Sequence, residues 1–160
     1  MSSTSSPSLS TANPATANPA TVNLGYPRIG RHRELKFALE DFWSGRLDEA
    51  HLLATAKTLR QRNWQLQKDA GLDVIPSNDF SFYDQVLDAL VLVGATPARF
   101  GTGPVTLNRY FQMARNSNEQ TAMEMTKWFD TNYHYLVPEW SDDLAFTPDS
   151  TKLLAEFAEA

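Results

Sequence analysis

Between Ala70 and Gln85 the chain reads AGLDVIPSNDFSFYDQ. Leu72 to Ile75 is a short apolar run stopped by Pro76, which lacks an amide donor and holds the residue before it extended. Polar Ser77, Asn78 and Asp79 follow, and beyond them Phe82, Val86, Leu90 and Val93 recur at helical spacing. Strand, polar loop and helix in that order begin a βα unit. Where such units build a sheet, ligands collect at the C-terminal ends of the strands, which is where Ser77, Asn78 and Asp79 stand. Asp79 or Ser77 suits equally the cap of a helix beginning near Ser81.

Upstream, a long helix is expected from about Leu47 to Ala70. The acids Asp48 and Glu49 open it and Lys57, Arg60, Arg62 and Lys68 load its later turns, the charge order the helix dipole prefers. Leu52, Ala56, Leu59, Asn63, Leu66 and Ala70 mark its inner face, and Gly71 follows as the stop. Trp64 on such a helix reads as core. A shorter helix begins near His32, with Leu35, Leu39 and Phe42 as its buried stripe and Gly45 as its end. It is entered from Leu24 to Ile29, a short strand or extended lead-in.

That junction, NLGYPRIGRHRELK from Asn23 to Lys36, reverses the sign of the chain. Arg28, Arg31, His32, Arg33 and Lys36 fall within nine positions against the single acid Glu34, whereas the whole has 19 Asp and Glu to 14 Lys and Arg. Cations at a helix N-terminus oppose the macrodipole, so an anion is expected nearby.

Downstream, Ala95 to Pro104 reads as a loop, and Val105 to Ala114 as a helix with Leu107, Tyr110, Phe111 and Ala114 on one side. Met125 to Phe129 reads as a strand with Met125, Lys127 and Phe129 on one face. Lys127 among such neighbours must reach solvent or meet an anion, because an unpaired buried ammonium is costly. His134 between Tyr133 and Tyr135 is expected to be packed and hydrogen-bonded rather than catalytic. The last residues, DSTKLLAEFAEA, give a capped amphipathic helix with Leu153, Leu154, Phe157 and Ala158 inward, and with it the expectation of a domain cut short.

Residues 1–22 hold no charged side chain and carry TANPA twice in tandem, from Thr11 and from Thr16. Such a segment buries too little to offset its ordering entropy, so a disordered leader is expected there. An inert extension is preferred to a transit peptide because the first arginine is Arg28. A composition of 42% hydrophobic residues in 160 suits one domain at most. The absence of cysteine excludes disulfides, thiolate metal sites and thiol nucleophiles from this chain. A pI near 5.1 argues against nucleic acid and anionic membranes as partners.

Read together, LGYPRIG, RELK, AGLDVIPSNDFSFYDQ, EMTKWFDTNYHY (Glu124 to Tyr135) and NYHYLVPEW resemble the amino-terminal part of the cobalamin-independent methionine synthases, the 5-methyltetrahydropteroyltriglutamate–homocysteine methyltransferases. The likeness runs from Asn23 to about Trp140. It implies an α/β fold, with residues 23–160 an incomplete N-terminal part of a first, folate-binding (β/α)₈ barrel of TIM type. It implies that the RELK residues Arg33, Glu34, Leu35 and Lys36, together with Lys127, contact 5-methyltetrahydropteroyltri-L-glutamate. Sign and shape agree, since guanidinium and ammonium groups suit a ligand with several carboxylates.

The resemblance further implies methyl transfer to homocysteine by the whole enzyme, with zinc in a second barrel, no cobalamin, and a cytoplasmic location. This segment would hold no catalytic residue, metal or cofactor and would be inactive alone. Its partners would be the polyglutamylated methylfolate and the remainder of the enzyme chain. The alternative is a truncated paralogue acting as a non-catalytic interaction module.

Overall fold

The computed structural model describes residues 20–117 and 119–160. The leader expected over residues 1–22 lies outside the described residues except for its last three. Helix α1 spans Glu34–Trp43, α2 Glu49–Asp69, α3 Gln85–Val93, α4 Leu107–Ala114 and α5 Thr151–Glu159. A 3₁₀ turn covers Ala98–Phe100, and strands β1 (Met125–Lys127) and β2 (His134–Leu136) form a two-stranded antiparallel sheet with Met125 opposite Leu136. The chain is thus a helix-rich partial α/β domain.

The core is where the apolar stripes meet. Leu35 and Leu39 of α1, Leu52, Ala56 and Leu59 of α2, Leu87 and Leu90 of α3, Phe111 and Met113 of α4, and Leu136 of β2 are all buried in one cluster. Full burial of a leucine contributes about 1.5–3 kcal/mol, so the four leucines with no exposure do much of the stabilising. Phe42 and Trp43 at the end of α1 extend the cluster onto Phe111, with ring centroids 5.6 and 5.4 Å away.

The sequence places α1 and α2 well. Asp48 caps α2 by accepting from the His51 amide at 2.8 Å, and Gly45 and Gly71, both at positive φ, follow the two helices as stops. The inner face of α2 turns differently near its end. Gln67 is buried where Leu66 and Ala70 were expected, and Leu66 is exposed. A polar pair explains this: the Asn23 amide donates to Gln67 at 2.9 Å and Gln67 donates to the Asn63 carbonyl, so the incoming chain lies on that face. Trp64 is half-buried and donates its indole N–H to the Pro76 carbonyl, consistent with a packing role.

Three expectations need correction. Helix α3 begins at Gln85, not near Ser81, and neither Ser77 nor Asp79 caps it. Asp84 does, accepting from the Leu87 amide at 3.0 Å, because the Phe82 and Tyr83 carbonyls are drawn away to the Arg28 guanidinium. The β1 strand stops at Lys127 rather than running on to Phe129, which turns to positive φ at the hairpin, and it pairs with the adjacent antiparallel strand β2.

Helix α5 buries a different face from the one expected, with Leu153 alone of the expected stripe half-buried. Glu156 is buried and Leu154 and Phe157 are exposed, because Arg60 of α2 and Lys152 draw the carboxylates inward. Its first turn is served by Asp149, which accepts from the Thr151 amide at 3.0 Å.

Thr21 and Val22 close the other end. Thr21 donates its amide and hydroxyl to Asp73 at 2.8 and 2.7 Å, and Val22 forms a parallel bridge with Val74. The extended run before Pro76 is therefore reduced to one bridge, with α1 and α2 as the crossover between its two sides.

Candidate functional site

The basic junction is built by a tight turn. Gly30 lies at φ 88° with its carbonyl accepting from the Arg33 amide at 3.2 Å, and the Ile29 carbonyl accepts from the Leu35 amide at 3.1 Å. Arg33 is the α1 cap residue and sits in the left-handed region at φ 63°, which a non-glycine residue adopts only under constraint. Glu34 supplies part of it. One carboxylate oxygen accepts from the His32 amide at 2.9 Å and the other pairs with Arg62 of α2 at 3.2 Å. These backbone bonds, and less so Arg62, hold the Glu34 carboxyl below the usual range.

The residues singled out by the resemblance fall into three situations. Arg33 and Lys36 are exposed on the first turn of α1, with Lys36 3.6 Å from Glu40. Leu35 beside them is fully buried and belongs to the core. Lys127 lies at the end of β1, exposed, in register with His134. Of the two alternatives stated for Lys127, it reaches solvent. His134 is exposed rather than packed, with its ring nitrogen 3.1 Å from the Asn132 carbonyl.

What links the two basic stretches is the span Phe82 to Asp84. Arg28 donates to the Phe82 and Tyr83 carbonyls at 3.0 and 2.6 Å. Asp84, 2% exposed, accepts from the Tyr133 hydroxyl at 2.5 Å and from the Leu136 amide at 3.2 Å. Burial together with the Asp84 hydrogen bond pushes the Tyr133 phenol up to about 12, so it stays a donor. Three consecutive residues therefore hold both the segment that leads into Arg33 and Lys36 and the hairpin that carries Lys127.

Sequence reasoning missed Asp84, Tyr133 and Arg62. An aspartate immediately before an apolar helical run is a readable cap signal for Asp84. Nothing local announces that a tyrosine 49 positions on would share it.

Ser77, Asn78 and Asp79 stand elsewhere. The Asp79 carboxylate accepts from the Tyr26 amide at 2.7 Å beside an open cleft of about 710 Å³ formed with Leu24 to Pro27. The Asn78 side chain is 3.4 Å from Lys152. A larger open cavity of about 1470 Å³ lies between α3, the 94–107 segment and α5. Charged groups gather at its wall: Asp88 and Glu156 each lie 3.6 Å from Lys152, and Arg60 reaches Glu159 at 2.6 Å. Burial raises the carboxyl groups of both Asp88 and Glu156.

Metal chemistry finds little to use. His51 is held by Asp48 at 2.7 Å, and no three His, Asp or Glu side chains converge among the described residues. No helix among them is long and apolar enough to cross a membrane.

These features belong to a known domain. Residues 20–160 match the family model described as the cobalamin-independent synthase, N-terminal domain. Proteins named 5-methyltetrahydropteroyltriglutamate–homocysteine methyltransferase are similar throughout this region. The one from Salinibacter ruber is 55% identical, with 86% of this chain and 19% of that protein aligned. Those from Mesorhizobium japonicum and Parvibaculum lavamentivorans are 53% and 56% identical, over 86% of this chain and 20% and 18% of theirs. The chain belongs to the cobalamin-independent methionine synthase family, and it spans about a fifth of the length of the curated relatives it matches.

Proposed function

We propose that this chain forms part of the first (β/α)₈ barrel of a cobalamin-independent methionine synthase and that it binds the polyglutamate tail of a methylated folate through Arg33, Lys36 and Lys127. The whole enzyme would move the methyl group from that folate to homocysteine. The parallel bridge between Val22 and Val74, joined through a helical crossover, supports the barrel reading.

The observation that carries the binding role is the shared anchorage of both cationic segments on Phe82 to Asp84. Among the described residues Arg33 and Lys127 present exposed charge without a short ion pair to either, and Lys36 has an exposed partner in Glu40. Such charges are available to a carboxylate, since a solvent-exposed pair such as Lys36 with Glu40 contributes only about 0–1 kcal/mol.

The zinc that the family resemblance implies does not fit the residues here. The chain has no cysteine, and His51 and His134 are engaged with Asp48 and the Asn132 carbonyl. No step through the metal is therefore assigned to this chain, and its own part is binding and orientation. Alone it would not complete methyl transfer.

Calorimetry with 5-methyltetrahydropteroyltriglutamate tests the assignment. Alanine at Lys36 or at Lys127 should each weaken binding about tenfold, or about 1.4 kcal/mol, and more so at low salt. Tight binding that survives both substitutions together would refute it.

A further inference from the structure

We infer that Arg62 is a positioning residue for the cations at the start of α1, acting through Glu34 on the backbone of Arg33. The inference rests on the proposed folate reading for its consequence, though not for its geometry. Arg33 stands in the left-handed region, where a side chain with a Cβ does not remain without support. The support is a chain of contacts: Arg62 on one oxygen of Glu34, the His32 amide on the other, and Gly30 opposite. A Cβ at Gly30 would overlap the Glu34 carboxylate, so the turn is shaped around that group.

The pair also crosses elements. Arg62 sits on α2 and Glu34 on the first turn of α1, and Leu35 beside it is wholly buried. Rotation of α1 about its axis, which would redirect Lys36, is resisted on both sides of the junction. Arg62 makes this contact through one guanidinium nitrogen on one Glu34 oxygen, so a lysine able to reach that oxygen would keep the charge of the pair.

The test uses the full chain with methyltetrahydrofolate as triglutamate and as monoglutamate. The unaltered chain should prefer the triglutamate. Arg62→Gln should reduce that preference about tenfold, with Arg62→Lys intermediate. Backbone chemical shifts and couplings of Arg33 should show it leaving the left-handed region in Arg62→Gln. The control Arg46→Gln, which removes only the exposed pair with Asp41, should change neither.

A folded Arg62→Gln variant with Arg33 and the triglutamate preference both unchanged overturns the inference. If that variant does not fold, Glu34→Gln carries the test, and an unchanged preference there has the same meaning. If the unaltered chain shows no triglutamate preference, the folate reading fails instead. The Arg33 resonances then still decide whether Arg62 holds that turn.

Discussion

Tyr133 donates its hydroxyl hydrogen to the buried carboxylate of Asp84 at 2.5 Å, and that carboxylate also accepts from the amides of Leu87 and Leu136. A single acid thus caps α3 and secures the β1–β2 hairpin. Removing it leaves a helix uncapped and two donors from the hairpin without an acceptor. Asp84→Ala should cost about 3 kcal/mol in urea denaturation, and Tyr133→Phe about 1 kcal/mol because Tyr133 is half-exposed and its partner keeps two amides. Equal costs for the two would contradict the shared role.

Arg28 grips the same span through two carbonyls, at 3.0 and 2.6 Å. Arg28 uses a separate nitrogen for each carbonyl, a match the single ammonium of lysine lacks. Arg28→Met should destabilise by about 2 kcal/mol and Arg28→Lys by roughly half of that. Amide hydrogen exchange in residues 24–30 should quicken in both. Unchanged protection there would show that Arg28 is not what holds the lead-in.

Alanine at three glycines should separate conformational strain from steric overlap. All three have positive φ, so each substitution costs about 1 kcal/mol on that ground. At Gly45 a Cβ meets open space, and nothing further is added. At Gly30 it meets the Glu34 side chain, which can yield only at the expense of its bonds to His32 and Arg62, and at Gly94 the backbone of Thr147. Thermal denaturation should rank them Gly45→Ala least harmful, then Gly30→Ala, then Gly94→Ala.

Asp88 offers a pH test. Burial raises its carboxyl above the unfolded value, with Lys152 only partly opposing this. The folded state therefore binds more protons than the unfolded state between the two values, and this group's contribution to stability falls as pH rises through that window. Asp88→Asn removes the titration, so its stability relative to the unaltered chain should improve from about pH 4 to about pH 8. A difference that does not change with pH, or that changes in the opposite sense, would show that Lys152 outweighs burial. Denaturant melts at both pH values measure it.

Local chemistry made much of this domain legible. Asp48 ahead of a long helix and Gly45 and Gly71 behind helices act through neighbours within a turn. The basic run around Arg33 could be read as a place for an anion because charge and helix direction are both local quantities.

Residues 82–84 show where that reading stops. The Phe82 and Tyr83 carbonyls would serve a helix starting earlier, but Arg28, 54 and 55 positions away, takes both, and α3 begins at Gln85 under the Asp84 cap. Helix α5 carries a clean apolar stripe, yet Leu154 and Phe157 on it face outward, because Arg60 on a distant helix offers Glu156 and Glu159 a partner. The sequence by itself determined that these helices form, where several of them end, and the sign of the anion-seeking corner, all set by contacts a few residues apart. Which face each helix buries, and that both cationic segments hang from Phe82 to Asp84, was decided only in three dimensions, where groups distant along the chain compete for the same donors and acceptors.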